Sequence, residues 1–251
     1  MNGSNTPLLD VQRLRKRFGG VVASDGVDLQ VRHGEVHALI GPNGAGKTTL
    51  VAQLAGQLAP DSGRIVFDGV DVTHLSAHQR ARRGLARSFQ ITRLFSSFTV
   101  LEHVALALQA AGSSRGGAWA PWSQDAALLQ RARSQLAALN LQDHADATID
   151  TLSHGQRRAL EVGMAVAASP RLVLLDEPMA GMGPDESQRM EALIARLRDH
   201  TTLLLIEHDV DAVFRLADRV SVLVSGQVIA SGAPDVVRAD AQVIGAYLGQ
   251  E

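Results

Sequence analysis

Gly41-Pro42-Asn43-Gly44-Ala45-Gly46-Lys47-Thr48-Thr49 has the residue types and spacing of a phosphate cradle. Glycines at 41, 44 and 46 let the backbone curve so that successive amides, those of Gly41, Asn43, Gly44 and Gly46 among them, point at one anion. The helix that starts at Lys47, Thr48 and Thr49 aims its positive end at the same place. Lys47 reaches the β- and γ-phosphates of a nucleotide, and the Thr48 hydroxyl completes the shell of a magnesium ion. A glycine-rich turn alone does not require a lysine here. The chain holds 24 lysines and arginines, of which only Lys16 and Lys47 are lysines, so a compact point charge is kept where a planar fork would not serve.

A second group stands at Asp176-Glu177, directly after the apolar run Leu172-Val173-Leu174-Leu175. Neighbours at a strand end point to opposite sides, so the two carboxylates divide the work. Asp176 suits the metal, and Glu177 suits a general base or water-positioner for in-line attack on a γ-phosphate. Ser153-His154-Gly155-Gln156 opens a helix with capping-box spacing, which is an anion site in form and, taken alone, a well-capped helix. His208, in the polar turn Glu207-His208-Asp209, sits where α/β sheets present groups to ligands. Phe18, beside Gly19-Gly20, has two readings that remain open: a core residue, or a loop ring lying flat on a base.

The elements that must position these groups follow from periodicity. Strands are expected at 8–11, 27–31 and 36–40, a helix over about 47–56, and a hairpin over 63–72 turning at Asp68-Gly69. From there to about 170 the pattern is helical, with a Thr99/Glu102 capping box before residues 100–111 and a second helix patterned by Leu128, Leu129, Leu136 and Leu139. Between them, 112–124 reads as a loop whose Trp119 and Trp122 either pack back on the protein or meet a membrane protein or the lipid interface. Strands at 172–175 and 203–206 alternate with a helix at 185–199 and one that follows the turn 207–209 and runs to about 217; a hairpin over 220–230 and a helical end from Pro234 follow. Strands alternating with helices around a phosphate loop imply a largely parallel α/β core.

Composition narrows the classes. The 251 residues carry 45% apolar and 20% charged side chains, a net charge of -2 and no cysteine. Disulfides, thiolate metal sites and cysteine nucleophiles are excluded, and nothing in the charge calls for nucleic acid. The one dense basic cluster is Arg80, Arg82, Arg83 and Arg87, with Arg93 further on. No apolar run has the length of a spanning helix, and residues 1–7 lack the blocks of a signal peptide, so a cytoplasmic location is expected.

Phe18, residues 41–49, Gln90, residues 152–156, 172–177 and His208 together resemble the nucleotide-binding subunit of ABC transporters across essentially the whole chain. That resemblance implies an α/β fold: one nucleotide-binding domain over 1–251, with a P-loop NTPase core of mainly parallel sheet, an antiparallel β subdomain and an inserted helical subdomain. Residues 1–88 and 169–251 would form the RecA-like core with the β subdomain, and about 89–168 the helical part. It implies ATP and Mg2+ as cofactors. Phe18 would stack on adenine, and Gln90 would join Thr48 and Asp176 around the magnesium while sensing a membrane partner. Ser153 and Gly155, with Gln156 beside them, would contact the γ-phosphate of ATP held by a second subunit. His208 would fix that phosphate and Glu177.

Residues 82–95, Thr99 to Val104, Ile206-Glu207-His208-Asp209 and the closing Ala246-Tyr247-Leu248-Gly249 look like the branched-chain amino acid importer branch; related branches carry urea and other amides. The partners implied are transmembrane permease subunits, a second ATP-binding subunit and, indirectly, a solute-binding protein, with the chain peripheral on the inner face of the membrane. Two positions depart from the family pattern. His154 stands where most members have glycine, placing a bulky titratable group near the expected dimer interface, and the loop 179–184 lacks the usual aspartate. The competing classes are a soluble ABC-type ATPase acting on DNA or ribosomes, which usually shows two cassettes, a long coiled coil or cysteine-bound zinc, and a P-loop kinase or GTPase, for which no Asn-Lys-x-Asp motif is present.

Overall fold

A computed structural model describes residues 6–88, 94–112 and 125–246. A four-stranded antiparallel sheet has the order β2-β1-β4-β5, built from β1 (Leu9–Phe18), β2 (Val21–Val31), β4 (Ser62–Phe67) and β5 (Val70–Asp71). A six-stranded sheet runs β10-β9-β3-β8-β7-β6, from β3 (Val36–Ile40), β6 (Leu85–Arg87), β7 (Leu172–Asp176), β8 (Thr202–Ile206), β9 (Arg219–Val224) and β10 (Gln227–Gly232). All its neighbours are parallel except β9 and β10. The helices are α1 (Lys47–Leu54), α2 (Ala77–Ala81), α3 (Val100–Gly112), α4 (Ala126–Ala138), α5 (His154–Val166), α6 (Pro184–Leu197), α7 (Val210–Leu216), α8 (Pro234–Arg238) and α9 (Ala241–Ala246).

β3, β7 and β8 are buried at every position, which is why they are mostly apolar, with His37, Asp176 and Thr202 the polar exceptions. Their period of two sorts side chains between two cores. Val173 and Leu175 of β7, with Leu203 and Leu205 of β8, join the core formed by α3, α4, α5 and α6. Leu172 and Leu174, with Leu204 and Ile206, pack on the other face against Leu50, Val51 and Leu54 of α1 and on the antiparallel sheet. Asp176 continues the even-numbered series of β7. It therefore emerges on the α1 side, where the phosphate loop lies.

Several sequence expectations need correction. β1 continues to Phe18 and β2 begins at Val21, so Phe18 ends a strand and only Gly19-Gly20 form the turn. The helical stretch to 170 is interrupted by β6, which adds to the sheet edge beside β7 with only Leu85 buried. The C-terminal region is two short helices divided at Ala239-Asp240. The arginines of the basic cluster have separate surroundings: Arg80 is buried, Arg87 faces a carboxylate, and Arg82 and Arg83 are exposed. Gln90, Arg93, Trp119, Trp122 and residues 247–249 lie outside the described residues.

Arg80 closes the C-terminal end of α1. Its Nη1 donates to the carbonyls of Gln53 and Leu54, both at 2.7 Å, Nη2 to Thr73 at 3.0 Å and Nε to Leu75 at 3.1 Å. Helix ends leave such carbonyls without partners, and a buried one must find a donor. Burial lowers the Arg80 pKa to about 10, so the group is charged at neutral pH. Arg80→Met strips donors from four carbonyls and is expected to destabilise the fold by about 2–4 kcal/mol. A denaturant midpoint shift corresponding to less than about 1 kcal/mol would contradict this capping role.

Candidate functional site

The phosphate loop leaves β3 at Ile40, a fully buried residue, and α1 starts seven residues later, at Lys47. Glycine is required at its two ends. A Cβ on Gly41 would stand 2.0 Å from the Leu223 carbonyl oxygen, and one on Gly46 would stand 2.1 Å from that of Ala23. Both also have positive φ, +153° and +105°. The loop is thus clamped between β9 and β2 so closely that only backbone fits.

Lys47 is buried, and its Nζ donates to the carbonyls of Gly41 at 2.6 Å and Pro42 at 3.1 Å. Its pKa is lowered by burial, against which the charges of Glu177 and Asp176 act to raise it. The lysine of the loop and both carboxylates at the end of β7 therefore share one electrostatic environment. Asp176 is 2% exposed, and its Oδ2 pairs with Arg87 Nη2 at 2.6 Å. Arg87 also donates to Gln57 in the turn after α1. A buried carboxylate needs such a partner to offset its desolvation.

Glu177 has a φ of +47°, a left-handed conformation that costs a non-glycine residue about 1 kcal/mol or more. Its neighbours hold it there. Glu177 N donates to Ile206 O at 2.9 Å, and one nitrogen of Arg158, on α5, donates to the carbonyls of both Asp176 and Glu177 at 2.9 Å. Glu207 braces the next residues: it is buried, and its Oε1 accepts from Met179 N at 2.9 Å. Burial raises the Glu207 pKa, and the charge of Glu177 raises it further. His208 is exposed, with Nδ1 3.8 Å from Glu207 Oε2. Arg87, Arg158 and Glu207 were not singled out from the sequence as parts of this site.

Ser153 is the N-cap of α5. Its Oγ accepts from Gln156 N at 3.2 Å, and its N donates to Gln156 Oε1 at 2.9 Å, the expected capping box. The Ser153 hydroxyl also donates to Glu186 Oε1 at 2.8 Å, and Gly155 N donates to the same oxygen at 3.2 Å. A Cβ on Gly155 would lie 2.8 Å from the Glu186 carboxyl in its present rotamer. His154 is exposed, and its Nε2 lies 3.1 Å from the Ala180 carbonyl oxygen of its own chain. Gln156 Nε2 meets His144 Nε2 at 2.8 Å. Among the described residues, no hydrogen bond joins 153–156 to 41–49. Phe18 is half exposed, with Lys16 Nζ 5.6 Å from its ring centroid.

Residues 24–180 match the family model described as ABC transporter, and 227–251 match that of the branched-chain amino acid ATP-binding cassette transporter. The chain is 39% identical over 253 residues to the high-affinity branched-chain amino acid transport ATP-binding protein BraF of Pseudomonas aeruginosa, covering 97% of this chain and 98% of that protein. It is 39% identical over 251 residues to LivG of Escherichia coli, with the same coverages. Among solved structures, the nucleotide-free ATP-binding cassette of an ABC transporter aligns with a TM-score of 0.85 at 30% identity, covering 98% of this chain and 100% of that one. The ADP conformation of an ABC transporter cassette, MJ1267, aligns at 0.86 and 31%, with the same coverages.

Proposed function

Because the chain belongs to the ABC transporter family, we propose that it is the ATP-hydrolysing subunit of an importer for branched-chain amino acids. The observation that carries the mechanism is the common setting of Lys47, Asp176 and Glu177 at the mouth of the phosphate loop. The solute assignment rests on the C-terminal match at 227–251 and on the BraF and LivG relatives. No helix among the described residues is long and apolar enough to cross a membrane. As the ATP-binding subunit of such an importer, the chain would act from the inner face, held by transmembrane permease subunits that receive solute from a binding protein.

In this reading Lys47 leaves the Gly41 and Pro42 carbonyls to meet the β- and γ-phosphates, exchanging two neutral acceptors for anionic oxygens. Phe18 offers its exposed ring to the base. Thr48 and Asp176 fit magnesium, because they supply oxygen donors only and few of them, leaving places for phosphate oxygens and water. Once bound there, the ion would neutralise charge on the β- and γ-phosphates. Glu177, set by its backbone contacts, orients and deprotonates the attacking water, and His208 meets the γ-phosphate from the turn after β8. Ser153, Gly155 and Gln156 complete the ATP site of a second ATP-binding subunit. Because ATP touches both subunits, it favours the closed pair, and hydrolysis removes that preference.

Isolation of the tagged chain from membranes, with identification of what accompanies it, tests the assignment. Two permease subunits are expected, together with ATPase activity that a branched-chain amino acid and its binding protein stimulate in reconstituted vesicles. Recovery with ribosomes or DNA in their place would overturn it.

A further inference from the structure

We propose that Glu186 is a built-in occupant of the phosphate-accepting end of α5, and that its displacement sets how much ATP the two subunits need to close. This inference rests on the reading of Ser153 and Gly155 as contacts to a partner's ATP. Both donors that reading reserves for a γ-phosphate are already given to one oxygen of the chain's own carboxylate, at 2.8 and 3.2 Å. An anion oxygen at the first turn of a helix, accepting one hydroxyl and one amide, imitates a phosphate oxygen in charge and in bonding. The same bonds hold the Glu186 carboxyl below the usual carboxylate range, the Ser153 hydroxyl contributing most, so it is anionic at neutral pH.

Glu186 lies in the first turn of α6, reached from the catalytic turn through the loop 179–183. It is joined to the sheet by its own helix, so it can release Ser153 by side-chain rotation without moving the fold. An incoming γ-phosphate must take both donors and also approach a like charge, and both requirements raise the ATP concentration needed for closure. The carboxylate also has the opposite capacity, that of pre-orienting the Ser153 hydroxyl. The two roles predict opposite effects of removing the charge.

The experiment compares Glu177→Gln, which should accumulate the closed pair, with Glu177→Gln carrying in addition Glu186→Gln or Glu186→Ala. ATP is titrated while pairing is followed by gel filtration and light scattering, with the chain itself or with the ATP-binding subunit that co-purifies. Both Glu186 variants should lower the ATP concentration for half-maximal pairing, by about tenfold for Glu186→Gln. That difference should shrink as salt is raised, because one like charge has been removed. An unchanged or higher ATP requirement in both, with the Glu177→Gln parent pairing normally, overturns the inference alone. A parent that binds ATP without pairing overturns the reading of Ser153 and Gly155, and the inference with it.

Discussion

Glu177→Gln is expected to lower ATP turnover by about 10²–10³-fold while leaving the KM for ATP within about twofold. Gln has the size of Glu and loses only the proton-accepting charge. The contacts that hold residue 177 at its positive φ are made by its backbone, through Ile206 and Arg158, so the turn should survive the substitution. The charge itself acts on two neighbours, helping to keep Lys47 protonated and pushing up the pKa of the buried Glu207. Neither neighbour needs that help to hold its place, since Lys47 is held by two carbonyls in the free chain and would be held by the phosphates once nucleotide is bound, and Glu207 by the Met179 amide. The loss should therefore appear in kcat, as it does for a group used only in the transition state. Phosphate release under saturating ATP, with gel filtration of the stalled species, makes the measurement. Turnover within about threefold of the parent would show that Glu177 is not the base.

How much of this site is legible in the sequence depends on what signal each residue leaves. Residues 41–49 are legible because their chemistry fixes both residue type and spacing, and Asp176 because it terminates a run buried on both faces. The supporting residues leave no such signal. Arg80 and Arg87 stand in a cluster of arginines that reads as a basic surface, yet one caps α1 from inside and the other pairs with Asp176. β6 has one buried leucine in three residues, too little to display a period. Glu186 falls in the first turn of a helix, where an acidic residue is ordinary because it complements the helix dipole. Only the packing of α6 beside α5 gives that carboxylate a second meaning. Arg158 and Glu207 act on backbone groups far off in sequence, and no pattern in either neighbourhood identifies those partners. The position of His154 was legible, but its hydrogen bond to Ala180 depends on how the loop after Glu177 folds back.

Ser153→Arg separates the two halves of the site. In the proposed reading, nucleotide binding by the chain itself uses residues 41–49 and Phe18; among the described residues none of these hydrogen-bonds to 153–156, so affinity for a fluorescent ATP analogue should stay within about twofold. Hydrolysis should fall by about 10²-fold or more, the scale on which a lost anion-hole donor acts, and no closed pair should form even when Glu177→Gln is also present. The fold should tolerate the change. Loss of the N-cap costs about 1 kcal/mol and a cation at a helix N-terminus somewhat more. Glu186, which already receives the Ser153 hydroxyl, offers the guanidinium an ion pair that offsets part of that cost. The same pairing makes the block effective, because it would hold the arginine across the Gly155 amide, where the partner's phosphate must enter. Ser153→Ala is the instructive control: it removes the hydroxyl and cap but leaves the Gly155 amide and adds no bulk, so it should retain pairing at raised ATP. Equal loss of pairing in both variants would mean that the cap, and not access to the phosphate, governs closure.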